Sequence, residues 1–467
     1  LKKQYKWLAA TGIILSASLQ PAFSQTGLLE VYQQATQQDP QLLASEMGLK
    51  ATEERVDQSF SALLPTISGS ITRSRSDSEG QQNIFFPPAT TDTTSTSKSL
   101  TLSQVIYDHR AWTGLDIRKK QALKAGVDHE SVKQNLILRV SEAYFNVLAA
   151  QDGVDFSTAE MKAIKQELEQ TNQKFEVGLI AITDVHEAQA RYDQAVANNI
   201  QAQNTLDNAS EALREISNRY YQSLNPLQTQ FKLKSPQPNN IDDWLTQAEQ
   251  SNLNLSARKI DKDIARETIK LNFAGHYPFL NLSASYSDSD SDSTSTQAEV
   301  DDNGVIEPGP DGNPNFITTE RTTINERSSV SLTLNVPIYS GGETQSKVRE
   351  AQHMFQQAVH NMDSAYRAAA RQTRSAFLGI QASISSVKAL EQSTVSSQAA
   401  LEATQAGFEV GTRTIVDVLN ATRTLYNAKQ NLARARYDYI LNTLRLKQAA
   451  GTLSVQDLKQ VDQLLKN

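Results

Sequence analysis

Phe175-Glu176-Val177-Gly178, followed by Ile182, Asp184-Val185 and Ala188, decides how this chain is read, because it is written twice. Phe408-Glu409-Val410-Gly411 is followed by Ile415, Asp417-Val418 and Ala421, 233 residues further on. A second echo lies upstream: Ser99-Leu100-Thr101-Leu102 with Ile106-Tyr107 returns, offset by 232, as Ser331-Leu332-Thr333-Leu334 with Ile338-Tyr339. Two echoes at nearly one offset describe duplicated structural halves, and a repeat of that size constrains the fold before any residue has a role.

Outward from each Phe-Glu-Val-Gly the pattern is helical. Val185, Ala188, Tyr192, Ala195, Asn199, Ala202, Leu206, Ala209, Leu213, Ile216 and Tyr220 step by three and four. Val418, Ala421, Leu425, Ala428, Leu432, Ala435, Tyr439, Asn442, Leu446 and Ala449 do the same in the second half. Such steps are the narrow seam of a coiled coil, and Ala alternating with larger side chains lets helices approach closely. Upstream, Leu136, Val140, Ala143, Val147, Ala150 and Val154 keep this rhythm. No Pro lies between Pro88 and Pro226, or after Pro337. Because Pro costs about 3 kcal/mol inside a helix, both stretches suit very long helices. Each Phe-Glu-Val-Gly is then the turn of a hairpin. An ascending helix from Asp108 to about Gln173 would be on the order of 100 Å long at ~1.5 Å per residue.

Four segments read as strands: Leu63 to Arg75, Ser99 to Tyr107, Tyr277 to Tyr286 and Ser328 to Tyr339. Each has about ten alternating residues, the length of a tilted transmembrane strand. The intervening polar segments read as solvated loops. The acidic one, Ser287 to Arg321, is read as disordered, with divalent-ion binding as the alternative. The expected organisation is a signal peptide at 1–24, a first repeat at 25–230 with its strand pair about 63–107, and a second repeat at 231–467 with its strand pair about 277–339. The second repeat ends in a segment after Gly451.

The signal peptide is read from Lys2, Lys3 and Lys6, the largely apolar run Trp7 to Leu19, and the small residues Ala22 and Ser24 before a cut near Gln25. Its removal takes the formal charge from −7 to −10, which opposes nucleic-acid binding. The chain has no Cys, so disulfides, thiolate metal sites and an amino-terminal lipid anchor are not expected. With no apolar run long enough for a spanning helix, a membrane could be crossed only by a closed barrel, in the Gram-negative envelope beyond the inner membrane. Four strands are too few to close one, since single-chain barrels begin at about eight. Copies of the chain must complete it, and closure alone allows a dimer, trimer or tetramer.

Catalysis finds no foothold, and no cofactor is expected. His186-Glu187 lacks a second His four positions after the first. His353 and His360 form a helix-face pair without a third ligand, so a surface pair is weighed there against a metal site. No Gly-rich phosphate loop is present.

The stretch Phe175 to Val185, and Gly411-Thr412-Arg413-Thr414-Ile415-Val416-Asp417-Val418-Leu419 running on to Thr424-Leu425-Tyr426-Asn427-Ala428-Lys429-Gln430, resemble the TolC family of outer membrane efflux proteins over essentially residues 26 to 460. The resemblance implies a mostly helical fold with a small β part. Long antiparallel coiled-coil hairpins and four transmembrane strands per protomer would form a trimeric twelve-stranded barrel continued by an α-helical tunnel. A belt of mixed structure would fall on Asn225 to Ile241 and on the segment after Gly451. It also implies an exit duct for drugs, other small toxic compounds or unfolded protein substrates. The implied partners are outer-membrane lipid and, at the tunnel tip, a periplasmic adaptor and an inner-membrane pump. A periplasmic coiled-coil structural protein and a passive porin are the rival readings.

In the family the hairpin turns form a closed periplasmic end held by polar links. The matching residues are Asp184, with Thr183 nearby, and Arg413. The alternative for Thr183 or Asp184 is that it caps the next helix, Glu187 standing at capping-box spacing from Asp184. A family Tyr that joins the lock is Phe408 here, so closure would rest more on Arg413 and packing. Asp417 would point into the entrance, against the alternative of a solvated carboxylate; the family's second Asp one turn later is Asn420.

Overall fold

The computed structural model describes residues 25–81, 87–228, 231–302 and 305–466. The signal-peptide reading falls on residues 1–24, outside them. The elements run α1 (Leu28–Gln38), α2 (Pro40–Ser61), β1 (Thr66–Gly80), β2 (Ala89–Tyr107), α3 (His109–Glu176), α4 (Ile182–Ser217), α5 (Ile241–Ser251), α6 (Leu253–Phe273), β3 (Phe279–Ala298), β4 (Phe316–Asn335), α7 (Glu343–Glu409), α8 (Ile415–Ala449) and α9 (Val455–Asp462). The fold is mostly helical with one small antiparallel sheet. α3 and α7 are 68 and 67 residues long, matching the two Pro-free stretches. Among the described residues no helix is long and apolar enough to cross a membrane.

One compact unit holds residues 129–253 and 366–467 with the amino-terminal segment. Its larger core takes Leu136, Val140, Tyr144 and Phe145 from α3, Ile440, Leu444 and Leu446 from α8, Val31 from α1 and Leu458 from α9. The Tyr144 hydroxyl is satisfied by donating to the carbonyls of Thr26 (3.1 Å) and Asn225 (2.9 Å). The buried Asp39 accepts from Arg139 Nη2 at 2.6 Å and from the backbone NH of Leu42 at 2.8 Å, so the charge is paired and α2 is capped by one side chain. Gly451 follows α8 at φ 75°, and a Cβ there would stand 2.1 Å from the Ser251 carbonyl oxygen. Only glycine fits this approach. The seam holds in detail: Leu136, Val140, Ala188, Ala195, Leu213, Val418, Leu425 and Ala428 are buried. Tyr220 does not belong to it. α4 ends at Ser217 because Asn218 adopts the left-handed conformation (φ 53°), leaving Tyr220 exposed.

The other unit holds residues 47–128 and 254–365 and contains the sheet, ordered β1-β2-β3-β4 with every neighbour antiparallel. The strands are 15 to 20 residues long rather than about ten. Much of what reads as the acidic loop is strand: Ser287 to Ala298 extends β3, and Phe316 to Arg321 opens β4. The disorder reading is therefore corrected for those residues. Polar cross-strand pairs do there what apolar pairs do elsewhere. Ser74 and Ser95 hydroxyls lie 2.8 Å apart, Lys98 pairs with Asp288 at 3.2 Å, and Thr322 donates to Asp292 at 2.7 Å. At the helix-proximal end β4 stops before Pro337, which cannot donate to a ladder. Its exposed segment Ile338-Tyr339 is not strand.

Register assigns the two faces, since residues directly opposite share a face. Ile67, Leu102, Ala284 and Val330 form one row, and Gly69, Leu100, Tyr286 and Ser328 the next. Leu282 with Leu332 and Leu280 with Leu334 extend this face toward the helices. On the other face, Thr66, Ser103, Ser283 and Ser331 form a row, followed by Ser68, Thr101, Ser285 and Ser329. One face is apolar at its base and the other is a lattice of hydroxyls. Strands β1 and β4 are the open edges.

Candidate functional site

Both Phe-Glu-Val-Gly segments fold into the same helix stop. Gly178 and Gly411 take φ of 75° and 79°, which glycine adopts without a Cβ penalty. In the first turn the Gly178 NH donates to Phe175 O (2.8 Å) and the Leu179 NH to Lys174 O (2.9 Å). In the second the Gly411 NH donates to Phe408 O (3.1 Å) and the Thr412 NH to Gly407 O (2.8 Å). These paired bonds satisfy the last carbonyls of α3 and α7 as a Schellman motif. The repeated glycine is thus a requirement of the turn.

The restart of the helix differs between the two turns. In the second, Thr414 is the N-cap. Its hydroxyl oxygen accepts from the Asp417 NH at 3.3 Å, and Asp417 Oδ2 accepts from the Thr414 NH at 3.0 Å and the Thr414 hydroxyl at 2.9 Å. The repeat offset aligns Ala181 with Thr414 and Asp184 with Asp417. Ala181 is the N-cap of α4 and has no side-chain acceptor, while Thr183 and Asp184 lie inside the helix. The capping alternative for Thr183 or Asp184 is therefore corrected. The capping box belongs to the other copy, where Thr-x-x-Asp spacing signals it. Replacing Thr414 by Ala is expected to cost about 1 kcal/mol, the usual worth of an N-cap, read as earlier thermal loss of the hairpin.

Among the described residues neither Asp184 nor Arg413 has a side-chain hydrogen bond or ion pair within the chain. The structure does not bring these two together in one protomer. Arg413 is exposed, its stem lying over Gly407, where an added Cβ would meet Arg413 Cγ at 2.8 Å. Thr183 and Asn420 are exposed too, while Asp417 is half-buried. The bonds from Thr414, helped by the charge of Arg413, hold the Asp417 carboxyl below the ordinary carboxylate range. One oxygen, Oδ2, carries the cap, and a carboxylate has acceptor sites to spare.

Phe408 is not left to packing alone. It packs on a cluster that includes Ile164, Leu168, Ala188, Leu401, Ile415 and Val418, contributed by all four hairpin helices. Over its ring lies Lys174 Nζ, 3.9 Å from the centroid, reaching from the end of α3. A cation over an aromatic face contributes about 0.5–1 kcal/mol at an exposed site. Lys174 escaped the sequence reading because the contact joins residues more than two hundred positions apart, with no spacing to reveal it. His353 and His360 gather no further ligand: among the described residues no group of three or more His, Cys, Asp or Glu side chains could hold a metal ion.

Four likenesses bear on this geometry. The family described as outer membrane efflux protein matches residues 31–219 and 244–452. The outer membrane protein TolC of Vibrio cholerae is 40% identical over 451 residues, covering 96% of each chain. The alkaline protease secretion protein AprF of Pseudomonas aeruginosa is 29% identical over 468 residues, covering 99% of this chain and 91% of that one. Among solved structures, that of CusC superposes with a TM-score of 0.73 at 17% identity, covering 92% of this chain and 93% of that one, a likeness of fold.

Proposed function

The chain belongs to the outer membrane efflux protein family, and from that membership we propose that it is an outer-membrane exit duct for efflux and type I secretion, a channel and not an enzyme. The observation that carries the physical side of this reading is the sheet. Its apolar rows are exposed on the edge strands, Val330 at 76% and Ile67 at 67%, and among the described residues no strand pairs with the outer side of β1 or β4. In lipid an open edge leaves backbone groups unsatisfied, so the sheet must close with other copies. Three copies give twelve strands, with the apolar face toward lipid and the hydroxyl face toward water. The helical hairpins continue that barrel as a periplasmic tunnel, and the two separate family matches support the duplication.

In this reading the hairpin turns are the gate. Arg413 of one hairpin pairs with Asp184 of a neighbouring copy, and Lys174 over Phe408 supplies an apolar-faced contact where a hydroxyl would otherwise bond. Asp417 contributes three carboxylates around the three-fold axis, with Asn420 one turn behind. Converging like charge in a narrow passage attracts cations. Opening is untwisting of the hairpins, driven by an inner-membrane pump through a periplasmic adaptor at the tunnel tip.

Fractionation with export tests the reading. The protein should stay with the outer membrane, require detergent for extraction as a trimer, and be needed for resistance to toxic small molecules. Extraction by osmotic shock as a soluble protein would favour the periplasmic coiled-coil alternative.

A further inference from the structure

Charge is sorted between the two faces of the sheet. Every acidic residue of the four strands stands at the register of the apolar-based face, among them Asp77, Asp92, Asp288, Asp290, Glu320 and Glu326. The hydroxyl face carries no acid in any strand. Its only ionisable residues of either sign are Arg321 and Arg327, both on β4. Arg327 stands in the row of Ser70, Ser99 and Ser287, and Arg321 in the row of Ser76, Thr93 and Ser293. Between them lie two rows of neutral groups: Thr72, Ser97, Ser289 and Asn325, then Ser74, Ser95, Ser291 and Thr323. Neither Arg has an ion pair with another described residue.

We infer that this hydroxyl face is the wall of the outer stage of the duct and that Arg321 and Arg327 make it attract anionic solutes, a second selectivity stage opposite in sign to the Asp417 entrance. The inference rests on the duct reading of the sheet. Three-fold assembly turns the two residues into two rings of three guanidiniums with no carboxylate on the wall between them. The acids that would neutralise them point away through the sheet. Hydroxyls donate and accept without bearing charge, so a solute meets a neutral wetted wall interrupted by two cationic girdles. A negatively charged substrate that has passed the entrance is then drawn outward, and cations are held out of the same stretch. Phosphate- or carboxylate-bearing compounds are the chemical class favoured there.

The absence of Cys makes the test clean. Ser289→Cys places one thiol per protomer between the two Arg rows of the intact trimer in lipid bilayers. Its reaction rates with an anionic (sulfonatoethyl) and a cationic (trimethylammonioethyl) methanethiosulfonate, added from the outer side, report the local potential. Replacing both Arg321 and Arg327 by Gln should lower the anionic-to-cationic rate ratio at low salt by roughly fourfold or more, about twofold for each ring. Replacing both by Lys should keep the ratio. Val330→Cys, on the lipid face, should react with neither reagent. An unchanged ratio in the Gln variants overturns the charge inference while leaving the duct standing. Reaction at Val330→Cys with silence at Ser289→Cys reverses the faces and overturns both.

Discussion

Arg413→Glu should open the channel. In the proposed lock the guanidinium of one hairpin meets Asp184 of the next copy, and among the described residues neither side chain has a hydrogen bond or ion pair within its own chain. An exposed ion pair contributes at most about 1 kcal/mol, but three equivalent pairs act on a single aperture, giving a total of about 3 kcal/mol. That corresponds to roughly a hundredfold in the ratio of closed to open states. Glutamate does more than remove the attraction, because it sets two carboxylates together. The expected result in planar bilayers is a several-fold rise in single-channel conductance. The yield of trimer should not change, since Arg413 is exposed and lies after the Schellman stop rather than within it. The contact of Lys174 with Phe408 remains and limits opening at the other side of the turn. Unaltered conductance would leave Asp184 without a role in closure.

Asn420→Asp should strengthen block by a trivalent cation applied from the periplasmic side by at least about tenfold, because three added carboxylates then stand behind three existing ones. Residues 417 and 420 are three apart and therefore share a helix face. Asp417→Asn should abolish most of the block. The capping box bears on how that variant is judged, since Asp417 also fastens the start of α8 through Thr414. Asparagine keeps an oxygen that can accept from Thr414, so the turn survives while the charge is lost. Acid titration separates the two roles of Asp417. The Thr414 bonds lower the carboxyl's pKa, so the charge and the capping contribution persist above that lowered value and are lost as pH falls through it. Neighbouring carboxylates of a ring raise it, opposing this. Thr414→Ala removes the hydroxyl bond while the backbone NH of residue 414 and the charge of Arg413 still favour the carboxylate, so this variant should lose cation block at a modestly higher pH than the unmodified protein. Equal block in the three proteins, or no shift in Thr414→Ala, would place the entrance carboxylates elsewhere.

What could be read in the sequence followed from strong local rules. Duplication, absence of Pro and a three-four seam announce α3, α4, α7 and α8, and the repeated glycine announces the two helix stops. The upper halves of the strands were hidden because nothing apolar marks them. Ser, Thr and Asp alternating along β3 carry the period of a strand without its hydrophobicity, and only pairing with Lys98, Ser95 and Thr322 makes the period visible. The capping box was written in Thr414-Ile415-Val416-Asp417, but the spacing of Asp184 to Glu187 drew attention to the wrong copy. Lys174 over Phe408 could not be foreseen, since it depends on how the two hairpins pack side by side. Charge sorting across the sheet was likewise invisible until register fixed which residues share a row.

Single-channel recording of the purified, unmodified protein in planar bilayers, with no other component present, tests the central claim most directly. A gated duct predicts discrete small current steps that favour cations at the entrance. A wide constitutive pore would mean a passive porin, and folded protein that inserts no conductance at all would contradict the duct.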